Sequence, residues 1–291
     1  MIQSPIFNPA QSETIKERDI DGFDVVCRPQ AADYLTGTVV ECAEFRIPCD
    51  PTDRLVARNE PESLGAELLR TLASRLTQAQ ARHPFKRLLV TSAVQGEGKT
   101  LISANLSITL ALQNKKVLLV DGDLRSSGMS RWFDVVDDSS MLAWRNLGIY
   151  RSPILRKAEK LPLWIFPAGT PVEVPGSILQ STQFAEKLDA LDGDFDWMVI
   201  DSPPLVPFAD AGTLAVLAEA VLLVTRRGIT PKPMLEDALG TMDRKKIIAT
   251  ILNSANIQGR KYYDSYYSQH QRPNSRCNGI RGSISTLLQL K

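Results

Sequence analysis

A short apolar run that passes straight into a glycine loop, and from there into a helix-length segment, constrains this chain more than any other feature. Arg87 to Thr91 (RLLVT) reads as a strand buried on both faces, SAVQGEGKT follows over 92–100 with no linker, and Lys99 to Gln113 has the length and apolar content of a helix. Strand, glycine loop and helix in that order are what a phosphate-binding loop requires. Gly96 and Gly98 let the backbone turn tightly enough to aim N–H groups at phosphate oxygens, and the helix N-terminus adds positive potential. The predicted nucleotide-binding stretch is therefore Gln95, Gly96, Glu97, Gly98, Lys99, Thr100 and Leu101. Lys99 would reach the β and γ phosphates of ATP, and the Thr100 hydroxyl would ligate Mg²⁺. The pattern G-x-x-x-x-G-K-[ST] is met except at its first position, where Ala93 stands.

The rest of the chain repeats the alternation. Val117 to Val120, Leu163 to Phe166, Trp197 to Ile200, Val221 to Val224 and Ile247 to Leu252 are further short apolar runs. Helix-length segments separate most of them: Gly176 to Leu191, Ala209 to Leu217 and Pro233 to Met242. Strands alternating with helices predict an α/β fold, a mostly parallel sheet with helices on both faces. Upstream, Leu64, Leu68, Leu72, Leu76 and Ala79 recur at helical spacing behind Pro61 and a Ser63 cap. Residues 1–60 show no lasting period and read as an irregular arm, 61–257 as the P-loop domain, and 258–291 as a flexible tail.

Two strands end in carboxylates: LLVDGDLR over 118–125 and VIDSPP over 199–204. In an open parallel sheet both sets emerge at the carboxyl edge, onto which the phosphate loop also opens. Asp201 then fits a Mg²⁺-orienting role beside Thr100. Asp121 and Asp123 would add charge near the metal and could accept the proton of an attacking hydroxyl. Arg125 would either pair with a phosphate or hold those aspartates. Hydrolysis through Ser202 is not supported, because Ser-Pro-Pro lacks a glycine elbow and no histidine lies near it in sequence.

Charge narrows the partners. The 291 residues carry 34 basic and 33 acidic side chains, a balance that argues against a nucleic-acid coat. The balance hides an asymmetry: residues 1–60 are net −5 and residues 260–291 net +5. Of the 6 tyrosines, 4 fall together at Tyr262, Tyr263, Tyr266 and Tyr267, within the basic end. The start has no secretory character, no C-x-x-C pair suggests zinc, and no apolar run approaches the ~20 residues needed to span a bilayer. A cytoplasmic protein is expected.

GEGKT at 96–100, LLVDGDLR at 118–125 and VIDSPP at 199–204, with the tyrosine cluster, resemble the bacterial tyrosine kinases of exopolysaccharide and capsule synthesis, within the MinD/ParA-like P-loop ATPases. The resemblance covers about residues 50–267. It implies ATP and Mg²⁺ as cofactors, catalysis by Asp121, Asp123 and Lys99, and a metal site of Thr100, Asp121 and Asp201. It also implies that Tyr262, Tyr263, Tyr266 and Tyr267 are the phosphoacceptors, presented to a neighbouring subunit of a homo-oligomer. A membrane polysaccharide co-polymerase would be the activator, drawing the protein to the inner face of the plasma membrane, and a phosphotyrosine phosphatase would reverse the modification. The family's E-x-x-R-x-x-R helix, used for subunit contacts, is matched by Glu67 and Arg70, whereas Ala73 replaces the last arginine. The competing reading is a MinD/ParA-like nucleotide-switched ATPase or scaffold without tyrosine kinase activity. Such switches usually carry an additional early lysine in the loop, where Ala93, Val94 and Gln95 stand here.

Overall fold

A computed structural model of the chain describes residues 40–49, 54–135, 154–169, 171–255 and 287–290. The tyrosine cluster, most of the expected arm and nearly all of the expected tail lie outside them. Among the described residues the strands are β1 (Val40–Phe45), β2 (Arg87–Ser92), β3 (Val117–Asp121), β4 (Ile154–Ala158), β5 (Leu163–Phe166), β6 (Trp197–Asp201), β7 (Ala220–Arg226), β8 (Ile247–Asn253) and β9 (Leu287–Leu290). They form one sheet in the order β1-β4-β5-β3-β6-β2-β7-β8-β9. The β4–β5 and β8–β9 pairs are antiparallel and every other pair is parallel. The expected mostly parallel α/β sheet is what the chain forms.

The helices are α1 (Val56–Asn59), α2 (Leu64–Arg82), α3 (Lys99–Leu112), α4 (Gly128–Trp132), α5 (Gly176–Leu179), α6 (Thr182–Leu191), α7 (Ala209–Leu217) and α8 (Lys232–Gly240). Ser63 caps α2 as expected, its side chain accepting from the Ala66 N–H. The stripe that α2 buries runs through Ala66, Leu69, Leu72, Ala73 and Leu76, so Leu68, expected inside, is only half-buried. The segment read as one helix over 176–191 is two, because the Ser181 side chain caps a fresh helix by accepting from the Phe184 N–H.

Two apolar clusters cover the two sides of the sheet. One joins α2 and α3 to alternate residues of the central strands, including Leu88, Val90, Leu119, Trp197 and Val199. The other joins α6 and α7 to the opposite set, including Leu89, Leu118, Val120, Met198 and Ile200. This two-sided burial is why β2, β3 and β6 read as unbroken apolar runs. β8 differs: next to the edge strand, it buries only Ala249, Ile251 and Asn253. Part of the expected irregular arm is ordered into the core. β1 adds Phe45, and Leu55, Val56 and Ala57 at α1 pack against the α2 and α3 side.

Candidate active site

The three central strands β3, β6 and β2 are neighbours and parallel, so the residues at their carboxyl ends converge by geometry alone. Val90 of β2 is in register with Asp201 of β6, and Asp201 is in register with Asp121 of β3. The phosphate loop thus opens beside both aspartates.

The loop is held from several directions. Gly98 lies at φ +97°, a left-handed conformation that favours glycine, and precedes α3 as its cap. A Cβ there would run into Asn253 Nδ2 from the end of β8. That amide donates to the Glu97 carbonyl at 2.8 Å. Arg226, at the end of β7, donates to the Gly96 carbonyl at 2.9 Å. Ala93, the departure from the loop pattern, is fully buried against Leu205, Ala211, Leu223 and Ala238, so its methyl fills an apolar slot.

Not every residue of the expected nucleotide-binding stretch offers its side chain. Glu97 is buried and turned into the protein: its carboxylate accepts the Val94 N–H at 2.7 Å and the Thr230 hydroxyl. Leu101 packs toward the core. Both are left with backbone groups for a ligand, while the exposed Gln95 and Gly96 face outward.

Lys99 Nζ lies 3.4 Å from Asp123 Oδ2, with both side chains largely buried. The ammonium is therefore poised over the carboxylate group rather than loose in solvent. Asp123 Oδ1 also accepts the Ser126 N–H at 3.2 Å. Arg125 does not hold Asp121 or Asp123, one of the two roles expected of it. Its Nε donates to Asp210 Oδ2 at 2.6 Å, its guanidinium lies 4.8 Å from the centroid of the Phe208 ring, and a third contact reaches the Glu173 carbonyl. Asp210 sits in the first turn of α7, so Arg125 ties the end of β3 to that helix.

Asp121 and Asp201 are buried side by side. Burial, then the charge of Asp201, pushes the Asp121 carboxyl up to about 7 despite the hydrogen bonds from Ser130 that oppose the rise. Burial likewise pushes Asp201 up to about 6, against the pull of Lys99 and of the Thr100 and Ser103 hydroxyls beside it. Asp121 Oδ1 and Asp201 Oδ2 have no hydrogen-bond partner among the described residues. Two buried carboxylate oxygens left open next to a threonine hydroxyl are hard ligands of the kind that Mg²⁺ takes alongside phosphate and water. The donor set fits that ion.

Sequence reasoning placed Lys99, Thr100, Asp121, Asp123 and Asp201 in one locality, and they are found there. It missed Ser103, Ser130 and Asn253. Asn253 closes an apolar run as the aspartates do, a signal that was available. Ser103 and Ser130 lie inside helical segments and carry no comparable mark. On α2, Arg70 pairs with Glu67 at 2.6 Å and with the Pro61 carbonyl at 2.9 Å. Ala73, in contrast, is fully buried. Among the described residues no helix is long and apolar enough to cross a membrane.

A family model described as an AAA domain matches residues 88–229. The tyrosine-protein kinase YwqD of Bacillus subtilis (strain 168) is 28% identical over 215 residues, 73% of this chain and 90% of that protein. The tyrosine-protein kinase CpsD of Streptococcus agalactiae is 30% identical over 182 residues, 62% of this chain and 80% of that protein. Among solved structures, the VpsO kinase domain is 30% identical with a TM-score of 0.56, covering 66% of this chain and 97% of that one.

Proposed function

Because the chain belongs to the family of bacterial tyrosine-protein kinases, we propose that it transfers the γ-phosphoryl group of ATP to tyrosine, with Tyr262, Tyr263, Tyr266 and Tyr267 of a neighbouring copy as acceptors. The observation that carries this reading is the convergence of the Lys99–Asp123 pair with the open oxygens of Asp121 and Asp201 at one sheet edge.

The residues divide the work as follows. The backbone around Gly96 and Gly98 cradles the phosphates, and Lys99 leaves Asp123 to contact the β and γ groups. Thr100, Asp121 and Asp201 would hold Mg²⁺, which supplies neutralisation of charge on the phosphates. A tyrosine hydroxyl, neutral at pH 7 with a pKa of about 10, is aligned in line with the γ-phosphorus. Its oxygen forms the new P–O bond as the bond to the β-phosphate oxygen breaks and ADP departs. The transition state is largely dissociative, so the proton moves late, and Asp123 is placed to take it once Lys99 has turned to phosphate.

Transfer to a neighbour's tail requires a homo-oligomer, and the outward side of α2 with the Glu67–Arg70 pair is the proposed subunit contact. In this reading the 61–257 domain is the catalytic body and 258–291 its substrate. Phosphorylating four tyrosines adds roughly −6 to −8 of charge to a basic tail. A membrane co-polymerase as activator, a phosphatase to reset the tail, and a role in exopolysaccharide or capsule export complete the proposal, with recruitment to the membrane through that partner.

The test is incubation of the purified chain with Mg²⁺ and γ-labelled ATP followed by phosphotyrosine mapping. The controls are Lys99→Met and a four-fold Tyr→Phe tail. Label on the tail that both controls abolish is expected. Free phosphate without phosphotyrosine, even with a co-polymerase's cytosolic segment present, would identify a nucleotide-switched ATPase instead.

A further inference from the structure

Each of the two buried aspartates is gripped by a serine through one oxygen and left open at the other. Asp121 Oδ2 accepts both the Ser130 N–H, at 2.9 Å, and the Ser130 hydroxyl, at 2.5 Å. The same hydroxyl oxygen accepts the Ala168 N–H at 3.0 Å. With that amide occupying a lone pair, the Ser130 proton points at Asp121. Across the strand pair, the Ser103 hydroxyl lies 3.0 Å from Asp201 Oδ1 and 2.9 Å from the Lys99 carbonyl, dividing its single proton between them. The two remaining oxygens, Asp121 Oδ1 and Asp201 Oδ2, have no partner among the described residues. Ser103, Ser130, Asp121 and Asp201 are all essentially inaccessible to solvent.

A serine that merely fastened a helix to a strand would have no reason to place two bonds on one carboxylate oxygen and none on the other. A weaker form of the asymmetry recurs at the register partner, where Ser103 places one bond on Asp201 Oδ1 and Oδ2 is left open. A carboxylate offers about four lone-pair sites, and rotation about its terminal torsion exchanges the two oxygens. The serine bonds remove that freedom.

We propose that Ser130 is the positioning residue of Asp121, with Ser103 its counterpart on Asp201, and that the two serines decide which carboxylate oxygens are presented to a divalent cation. The proposal rests on the nucleotide-kinase reading and adds to it a source of metal affinity outside the ligands themselves. Through Ala168 the Ser130 hydroxyl also ties the chain just beyond β5 to the end of β3, so the position of α4 bears on the metal site.

The test uses the full chain, Mn²⁺ as probe and a non-hydrolysable ATP analogue, with free Mn²⁺ counted by electron paramagnetic resonance. Nucleotide affinity in EDTA and thermal unfolding are measured alongside. Ser130→Ala is expected to weaken Mn²⁺ binding by about tenfold or more, with nucleotide affinity in EDTA unchanged, a split that a purely structural role would not produce. Ser103→Ala lies within a helix that favours alanine and so folds securely. It is expected to give a smaller loss, because its proton is shared, and the double variant a larger loss than either. Wild-type Mn²⁺ affinity in both single variants overturns the inference, as does an equal fall in metal-dependent and metal-free nucleotide binding. If the unaltered chain binds the analogue without any dependence on Mn²⁺, the kinase reading itself fails, and this inference with it.

Discussion

Asp121 and Asp201 are register partners on adjacent parallel strands, so two buried carboxylates stand next to each other with an open oxygen on each. Such a pair is unfavourable to the nucleotide-free protein and useful only when a cation arrives. The pH dependence follows from this. A carboxyl whose pKa folding raises binds its proton more tightly in the native state. The stability it contributes is fully present below the unfolded value of 3.8 and is lost as pH rises through about 6 for Asp201 and about 7 for Asp121. The protein in EDTA is therefore expected to melt at a lower temperature at pH 8 than at pH 5. Asp121→Asn, neutral throughout, should flatten that slope while abolishing phosphotransfer. Calorimetry across pH checks it, and parallel curves for the two proteins would contradict it. Stabilisation by Mg²⁺ and nucleotide should increase over the same interval, as protons cease to compete.

The glycine before Lys99 carries a second prediction. Its positive φ and its contact with Asn253 mean that Gly98→Ala must distort the loop and displace the amide that holds the Glu97 carbonyl. Loss of one charge-assisted phosphate contact costs about 1.5–3 kcal/mol. ATP affinity should therefore fall by about tenfold to a hundredfold, with the far-ultraviolet circular dichroism of the apo protein unchanged. Isothermal titration measures the first and spectroscopy the second.

Much of this site was legible because each part is local. Lys99, Thr100, Asp121 and Asp201 each lie at the end of an apolar run or just beyond it, and a parallel sheet does the rest. What escaped reading depended on distant residues or on mixed patterns. Arg125 finds Asp210 85 positions away, a pairing that no spacing announces. β4 carries Arg156 and Lys157 among its five residues, and β1 carries Glu41 and Glu44, so neither shows the continuous apolar run of a central strand. Both lie at the flank of the sheet, where one-sided exposure permits charge. The Ser130 grip on Asp121 spans nine positions across a turn and is visible only in three dimensions.

Arg125 itself yields a third prediction. Asp210 is almost fully buried and its charge is balanced by Arg125, which the Phe208 ring also supports. Arg125→Ala strands the carboxylate and is expected to destabilise the fold by about 2–4 kcal/mol. Asp210→Asn added to it should recover much of that loss, since an amide tolerates burial better than an unpaired charge. Urea unfolding of the two single variants and the double variant checks the cycle. If Arg125 bound phosphate as well, the double variant would remain inactive after regaining stability; restored phosphotransfer would assign it to the scaffold alone.

The last prediction concerns α2 and the missing arginine of the family's helix pattern. Restoring it by Ala73→Arg looks conservative on paper, yet Ala73 has no exposed surface and packs in the cluster that joins α2 and α3 to the sheet. A guanidinium there would have to enter that apolar cluster. Overpacking and an unpaired buried charge act together, and the expected cost exceeds about 3 kcal/mol. Arg75, two positions on and exposed, differs in kind: its charge can be altered at little cost to the fold. Ala73→Arg should therefore lower the unfolding midpoint sharply and not promote assembly. Arg75→Ala should leave the midpoint within a few degrees, so that any change in oligomer mass by light scattering reports contacts between subunits rather than damage to the core. A stable, more highly assembled Ala73→Arg protein would mean that α2 turns on its axis when subunits meet.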